Sequence, residues 1–363
     1  MKELLKQLIR IPACSFEEAA RSAFLRGYLA EHGVKAAGFR NNIAALCAGF
    51  DPDKPTLMLN SHIDTVSAAT SYTTDPFGAL EKDGTIWGLG SNDAGASVVC
   101  LLHTFLYFNR TGTGRLPMNL LLLLTAEEER SGPGGMELMM NLMRDRKNPD
   151  SEWNRAGFPV PDFAIVGEPT GMRAATAERG LLVLDGTARG VSGHAARREG
   201  VNALYIAMED IRKLQNYRFR RISPMMGTVS LSVTQIAAGT AHNVVPDRCT
   251  FVVDIRPTER YENREIWELL QKQVRSELVP RKLTNRSSVT PADSPLLKTA
   301  ARCGIETFVS PTTSDWMRLE NIPALKMGPG DSARSHKADE YIRLSELREG
   351  LEGYIRFIEN FTI

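Results

Sequence analysis

The sequence predicts an α/β architecture: a mainly parallel sheet with helices on both faces, interrupted by an inserted α+β domain. Three observations carry this. Short apolar runs alternate with amphipathic helical stretches up to residue 169, and the same style resumes from residue 295. Between them, residues 173–285 change to strands that alternate polar and apolar positions, with two helices among them. At 363 residues the chain also exceeds what one hydrophobic core usually organises. The expected division is residues 1–172 with 287–363 as one domain and 173–286 as the insertion, with hinges near Thr170 and Ser287.

In chain order, the first helix is expected to run to about residue 33, followed by strands at 43–48 and 56–60 and a helix at 95–109. A buried strand follows at 118–125, where five consecutive leucines (120–124) are too short a run to cross a bilayer but suit a strand covered on both sides. A helix at 135–144 and a strand at 163–166 continue the pattern. The inserted segment gives strands at 180–189, 227–237 and 247–256 and helices at 202–216 and 262–276. No internal repeat or low-complexity segment is present.

Composition excludes several functions. Lys plus Arg (44) balance Asp plus Glu (43), so no basic field exists to hold nucleic acid or an anionic membrane, and a small-molecule partner is the default. The N-terminal stretch is amphipathic, with charges throughout and no uninterrupted apolar core, so a cytoplasmic protein is expected. The five cysteines are scattered and lack C-x-x-C spacing. They read as buried small hydrophobes of a reducing compartment, neither disulfides nor metal ligands.

The residues that carry chemistry recur in one placement. In LMLNSHIDTV an apolar strand runs out into His62, where ligands gather in open α/β sheets, and Asp64 follows, able to fix the imidazole's tautomer. In GLGSNDAGAS, glycines flank Asp93 just before a helix; an ordinary helix cap is the bland reading. In LLLLTAEEERSGPGG a buried strand ends in Glu127, Glu128 and Glu129, costly acids unless metal or hydrogen bonds compensate them. Two such carboxylates can divide the work of metal ligand and general base, and Glu129 is expected to be solvated. FAIVGEPTG ends another strand in Glu168, and KMGPGDSARSHKADEYI places His336 after a Gly-Pro-Gly loop. Together His62, Asp93, Glu128, Glu168 and His336 supply enough ligands for two divalent ions sharing a carboxylate.

Over nearly the whole chain these ordered motifs resemble the co-catalytic zinc aminoacylase/carboxypeptidase family, which includes acetylornithine deacetylases and succinyl-diaminopimelate desuccinylases. The resemblance implies two Zn2+ ions, with Co2+ or Mn2+ as possible substitutes. His62 and Glu168 would bind one ion, Glu128 and His336 the other, and Asp93 would bridge them. Glu127 would be the general base and Asp64 the partner of His62. The insertion would be a lid that forms a homodimer. Within it, His194 of GVSGHAARREG would stabilise the oxyanion, and Asn243 and Arg256 of AHNVVPDRCTFVVDIRP would bind the substrate carboxylate, with Gly330 of the Gly-Pro-Gly loop also in the substrate site. A structural ion pair is the alternative for Arg256.

Two comparisons with the family's pattern bear on the substrate, the first leaving its preference open. Ala94, Gly95 and Ala96 follow Asp93 where the family usually has a basic or Met-Lys-Gly stretch, and Glu168 stands where its aminopeptidases carry Asp, which favours a deacylase or carboxypeptidase. The loop around His336 most resembles acetylornithine deacetylases and acylcitrulline-hydrolysing relatives. The expected activity is therefore N-acetyl-L-ornithine deacetylation in arginine biosynthesis. N-acetyl- or N-succinyl-citrulline deacylation, succinyl-diaminopimelate desuccinylation and dipeptide hydrolysis are the alternatives, and Arg334 is a candidate for a succinyl carboxylate. A non-catalytic binding module would be marked by loss of a ligand or of Glu127, and all are present.

Overall fold

The computed structural model describes residues 1–112, 116–145, 148–149, 151–197 and 199–363. The chain divides into two compact units. One comprises Met1–Thr176, Thr290–Phe308 and Ser314–Ile363; the other comprises Ala177–Val289 and Val309–Thr313. The first therefore receives the chain back at residue 290, and a short piece, Val309–Thr313, returns to the second in a way the sequence did not announce.

The first unit is built on a mixed sheet whose central strands are parallel. Thr56–His62 lies between Asn119–Thr125 and Phe163–Val166, and Ala324–Lys326 extends the parallel set beside Phe163–Val166. Asn42–Leu46 and Ala36–Phe39 add antiparallel strands at one side. The leucine run behaves as its continuous hydrophobicity predicts. Leu120, Leu122 and Leu124 face one core with the helices Lys2–Arg10, Ala19–Glu31, Ala96–Thr111 and Leu344–Glu359. Leu121 and Leu123 face a second core with Met136, Met139, Met140, Met143 and Trp153. Successive strand residues point to opposite faces, so a strand covered on both sides must be apolar throughout.

The expected first helix is two helices. Pro12 holds Ile11 in an extended conformation (φ −102°, ψ 98°), and Phe16 takes a positive φ of 78°, so the chain breaks between Arg10 and Ala19. Sequence reading also missed the small sheet of Leu80–Lys82, Thr85–Trp87 and Tyr341–Arg343, whose strands are three residues each. Of the five cysteines, all unpaired, Cys47, Cys100 and Cys249 are buried, and burial pushes Cys47 and Cys100 to about 12, which keeps them as unreactive thiols.

The second unit is an antiparallel sheet in the order Ser230–Ala238, Arg248–Arg256, Leu182–Arg189, Glu277–Pro280. One face carries the helices Ala203–Asn216 and Asn263–Gln271, packed through Ala203, Ala207, Leu214, Ile266 and Leu270 against Leu182, Leu184, Phe251, Val253 and Ile255. Gly186 is required by this packing, because a Cβ there would come 2.4 Å from the Phe251 ring. The helix expected at 262–276 ends at Gln271. The buried Asp210 carboxylate takes the N–H groups of Arg275 (3.0 Å) and Ser276 (2.7 Å) and turns the chain into the last strand. Among the described residues no helix is long and apolar enough to cross a membrane.

The two-faced burial of the leucine strand is testable. Leu121→Ala and Leu122→Ala should each destabilise the first unit by ~2–5 kcal/mol, the usual range for emptying a packed leucine site. Denaturant unfolding followed by tryptophan fluorescence measures this, and a loss below about 1 kcal/mol for either variant would mean that its face of the sheet is not covered.

Candidate metal centre

Three adjacent parallel strands deliver their acids and a histidine to one end of the sheet. His62 closes Thr56–His62 and stands opposite Thr125, the last residue of Asn119–Thr125, from which the chain enters Glu127–Glu129. Glu168 follows Phe163–Val166 by two residues. Asp93 sits in the tight turn Ser91–Gly95 just before the helix Ala96–Thr111, and His336 lies in the loop beyond Ala324–Lys326. Carboxyl ends of parallel strands collect ligands because loops there are free of the sheet's hydrogen-bond demands.

The donors converge in two groups that share one residue. Ligand atoms of His62, Asp93 and Glu168 lie within 4.8 Å of one another, and so do those of Asp93, Glu129 and His336. His62 Nε2 is 3.2 Å from Asp93 Oδ1 and 3.9 Å from Glu168 Oε1. His336 Nε2 is 3.9 Å from Asp93 Oδ2 and 2.8 Å from Glu129 Oε2. Asp93 thus turns one oxygen to each histidine. Zinc bonds of ~2.0–2.2 Å in tetrahedral array would put neighbouring donors roughly 3.3–3.6 Å apart, within the spread seen here.

Asp64 organises the first of these groups from behind. Its Oδ1 is 3.3 Å from His62 Nδ1, and its backbone oxygen 3.1 Å, so Nδ1 carries a proton toward Asp64 and Nε2 is the nitrogen turned to Asp93 and Glu168. Its two oxygens also accept the N–H groups of Glu128 and Glu129, each at 3.1 Å, and Oδ2 takes the Ser15 hydroxyl at 2.7 Å. Burial alone would raise the Asp64 carboxyl, but the His62 hydrogen bond and charge, with Ser15 and the Glu129 N–H, hold it below the ordinary range. One carboxylate therefore positions both an imidazole and the turn bearing the acids.

Within that turn the acid that joins a donor group is Glu129, one residue beyond the expected Glu128. Glu127 has a positive φ of 59°, gives its N–H to Glu18 Oε1 (3.1 Å) and folds its side chain onto the glycine loop, where Oε2 accepts the Gly134 N–H at 2.7 Å. A Cβ at Gly132 or Gly134 would stand 2.2 Å from a Glu127 carboxylate oxygen, so the glycines exist to admit that side chain. Glu129, expected in solvent, has a side chain only 6% exposed and meets His336. Glu128 belongs to neither donor group. Burial, then the charges of Glu168, Glu129 and Asp315 against the opposing pull of His62, push its carboxyl well above the usual range.

The electrostatics of the cluster call for a cation. Burial, with Asp93 and Glu129 adding to it against His62 and Lys326, raises Glu168 to about 8. Burial and Asp93 raise Glu340 to about 7, and burial raises Asp315 to about 6. Burial would depress His62, but Asp64, Asp93, Glu168 and Glu128 outweigh it and raise its pKa well above the ordinary value. The Glu129 hydrogen bond raises His336 to about 9. Carboxylates crowded to this degree suppress one another's ionisation unless positive charge joins them, and the donor set of imidazole and carboxylate suits divalent zinc, cobalt or manganese.

The remaining residues singled out by sequence are placed as follows. His194 is exposed in the second unit, on the two-residue strand Gly193–His194 paired with Val244–Val245, and the Ala195 N–H bonds the Asn243 carbonyl at 3.0 Å, so His194 and Asn243 share one ribbon. Arg256 is held as a fork by Asp254, Nε to Oδ1 at 2.8 Å and Nη2 to Oδ2 at 3.1 Å, which is the structural ion pair. Gly330 lies in the first unit at φ 91°, where a Cβ would be 2.3 Å from Asn92 Oδ1. Arg334 is likewise taken, paired to both Glu346 oxygens at 2.8 and 2.9 Å and lying over the Tyr341 ring. Sequence reading missed Glu18, Asn92 and Glu340 altogether; the acid in HKADEY, four residues after His336, was the one visible trace of the last.

The model of peptidase family M20/M25/M40 matches residues 58–360 of this chain. An acetylornithine deacetylase of Myxococcus xanthus is 27% identical over 362 residues, covering 94% of this chain and 88% of that protein. A succinyl-diaminopimelate desuccinylase of Rickettsia bellii is 25% identical, covering 98% and 95%. Among solved structures, a tripeptidase from Staphylococcus aureus superposes with a TM-score of 0.75 at 17% identity over 98% of this chain and 96% of that one, which shows the fold. The match of the family model across the three strand-end motifs and the His336 loop, with the donor cluster these form, places the chain in peptidase family M20/M25/M40 as a metal-dependent amidohydrolase.

Proposed function

We propose that this protein removes the acyl group from an N-acyl amino acid, N-acetyl-L-ornithine before others, at a pair of zinc ions. The observation that carries the reading is Asp93, whose two oxygens face two different histidines at 3.2 and 3.9 Å, the arrangement a bridging carboxylate needs. His62, Glu168 and Asp93 would hold one ion, and Glu129, His336 and Asp93 the other. When bound, the pair polarises the acyl carbonyl and acidifies the water beside it.

Glu128 is assigned as general base, in place of Glu127. It belongs to neither group of metal donors, and standing buried beside Glu168 and Glu129 it would take a proton from water and return it to the leaving amine. Glu127 is spent on the glycine loop. Asp64 keeps His62 oriented. On the family's pattern His194 would stabilise the oxyanion and Asn243 and Arg256 the substrate carboxylate; Arg256 would have to share its guanidinium with Asp254. The substrate's nature is supported by the deacetylase relative, and Arg334 gives no support to a succinyl group, because Glu346 already occupies its fork. The second unit's edge strand Ser230–Ala238, largely exposed, and the exposed Tyr205 (64%) and Met208 (56%) support a homodimer through that unit. A cytoplasmic setting is supported by five unpaired cysteines.

Release of free amino acid from N-acetylornithine, N-acetylcitrulline, N-succinylcitrulline, N-succinyl-diaminopimelate and dipeptides, with a chelated control, tests the substrate. N-acetylornithine should lead, and chelation should abolish its turnover. The base assignment predicts that Glu128→Gln keeps its metal but loses turnover about 10²–10⁴-fold, while Glu127→Gln loses much less. The reverse order would restore Glu127 as the base.

Metal binding should also release protons. In the metal-free protein His336, near 9, and Glu168, near 8, carry protons at pH 7. Both must give them up to ligate, as must His62, whose pKa is likewise raised well above the ordinary value, so affinity should rise with pH through 8 and 9. Calorimetric titration of zinc in two buffers of different ionisation enthalpy checks this; identical heats in both buffers would refute it.

A further inference from the structure

The Glu340 side chain is almost entirely enclosed, with the residue 2% exposed, and among the described residues no Lys, Arg or His pairs with it. Its hydrogen bonds run instead to one short stretch of backbone. Oε1 accepts the N–H groups of Asn92 and Asp93, both at 2.8 Å, and Oε2 accepts that of Gly90 at 2.9 Å. The Glu340 carbonyl takes a fourth, from Gly88, at 2.9 Å. A buried carboxylate whose hydrogen bonds come from backbone N–H groups is an expensive arrangement, since taking a charge out of water costs more than such bonds usually return. What it achieves is to fix the backbone that carries Asp93.

A reciprocal contact lies at the other end of the same loop. The Asn92 amide bonds the backbone of Asp331 twice, Oδ1 from its N–H at 2.9 Å and Nδ2 to its carbonyl at 3.1 Å. Gly330, with no Cβ, lets Asn92 approach. The segment from Asp331 to Glu340, which bears His336, is thus fastened at both ends to the turn that bears Asp93. His336 needs this. Its side chain is 55% exposed, its φ is 59°, and little packing of its own holds it.

Resting on the two-metal reading above, we propose that Glu340 is a positioning residue for one of the two metal positions, the one made by Asp93, Glu129 and His336. It sets where Asp93 Oδ2 and His336 stand relative to one another. The other position has independent support: His62 ends a buried strand and is oriented by Asp64, and Glu168 follows another strand. Losing Glu340 should therefore weaken the two positions unequally. Groups that orient metal ligands without touching the metal typically change affinity about 10–100-fold when removed.

The test is Co2+ titration of metal-free protein, read by visible absorption and by equilibrium dialysis, for wild type, Glu340→Gln, Asn92→Ala and Glu346→Gln. Glutamine keeps the size of Glu340 but turns a donor toward N–H groups that need an acceptor. The expected result is two Co2+ bound by wild type and by Glu346→Gln. In Glu340→Gln one Co2+ should remain near wild-type affinity and the other weaken about 10–100-fold, with its absorption band shifted. Asn92→Ala, which releases the other end of the loop, should show the same selectivity and answers the case in which Glu340→Gln does not fold. Two Co2+ ions at wild-type affinity and spectrum in either folded variant would overturn the proposal, as would equal weakening of both positions. Wild type that binds a single Co2+ would instead overturn the two-metal reading itself, which Glu346→Gln would then share.

Discussion

Everything at the carboxyl end of the central sheet answers to one constraint: Asp93, Glu128, Glu129 and Glu168 are crowded against two imidazoles with too little positive charge to neutralise them. In the metal-free chain this is relieved by holding protons on groups that would ordinarily have lost them, as the raised Glu168 and His336 show. Divalent metal held by these residues would reverse the local balance and turn repulsion into ligation. The fold accepts the cost because strong strand–strand pairing and two apolar cores fix the strand ends, leaving the acids no route of escape into solvent.

Asp64 shows how few parts do this. Its side chain takes its position from the residues just after His62, and from there it fixes the His62 tautomer and the backbone of Glu128 and Glu129 together. The glycine loop then accommodates Glu127, so that three successive acids take three separate directions: one onto the loop, one toward the donor cluster without joining it, one onto His336. A run of like charges in sequence becomes three unlike roles because the backbone turns through a positive φ at its first member.

This accounts for what was legible in the sequence. His62, Asp93, Glu168 and His336 could be singled out because each follows an apolar strand or a glycine-rich turn, and the same placement recurring in every one is improbable without a purpose. The acid run could be recognised as important but not resolved residue by residue, since a left-handed Glu127 leaves no mark in composition or periodicity. Glu340 and Asn92 were invisible for a different reason. Their partners are backbone N–H and C=O groups far along the chain, and any residue supplies those. The broken first helix was readable from Pro12 in principle, but the apolar period on either side of it masked the break.

The two halves of the donor cluster are not held in the same way, and this asymmetry follows from what carries them. His62 rides on a buried strand and Glu168 follows another; moving either means disturbing a parallel sheet packed on both faces. His336 and Asp93 stand on turns outside the main sheet, held by contacts between those turns, among them the Glu340 carboxylate and the Asn92 amide. A site in which chemistry must admit and release a substrate gains from this division. The strand-borne half takes its geometry from the sheet, while the loop-borne half, whose histidine stands half in solvent, takes its geometry from contacts between turns. The buried Glu340 carboxylate is one of these contacts, since it ties the His336 loop to the turn that carries Asp93 into the following helix.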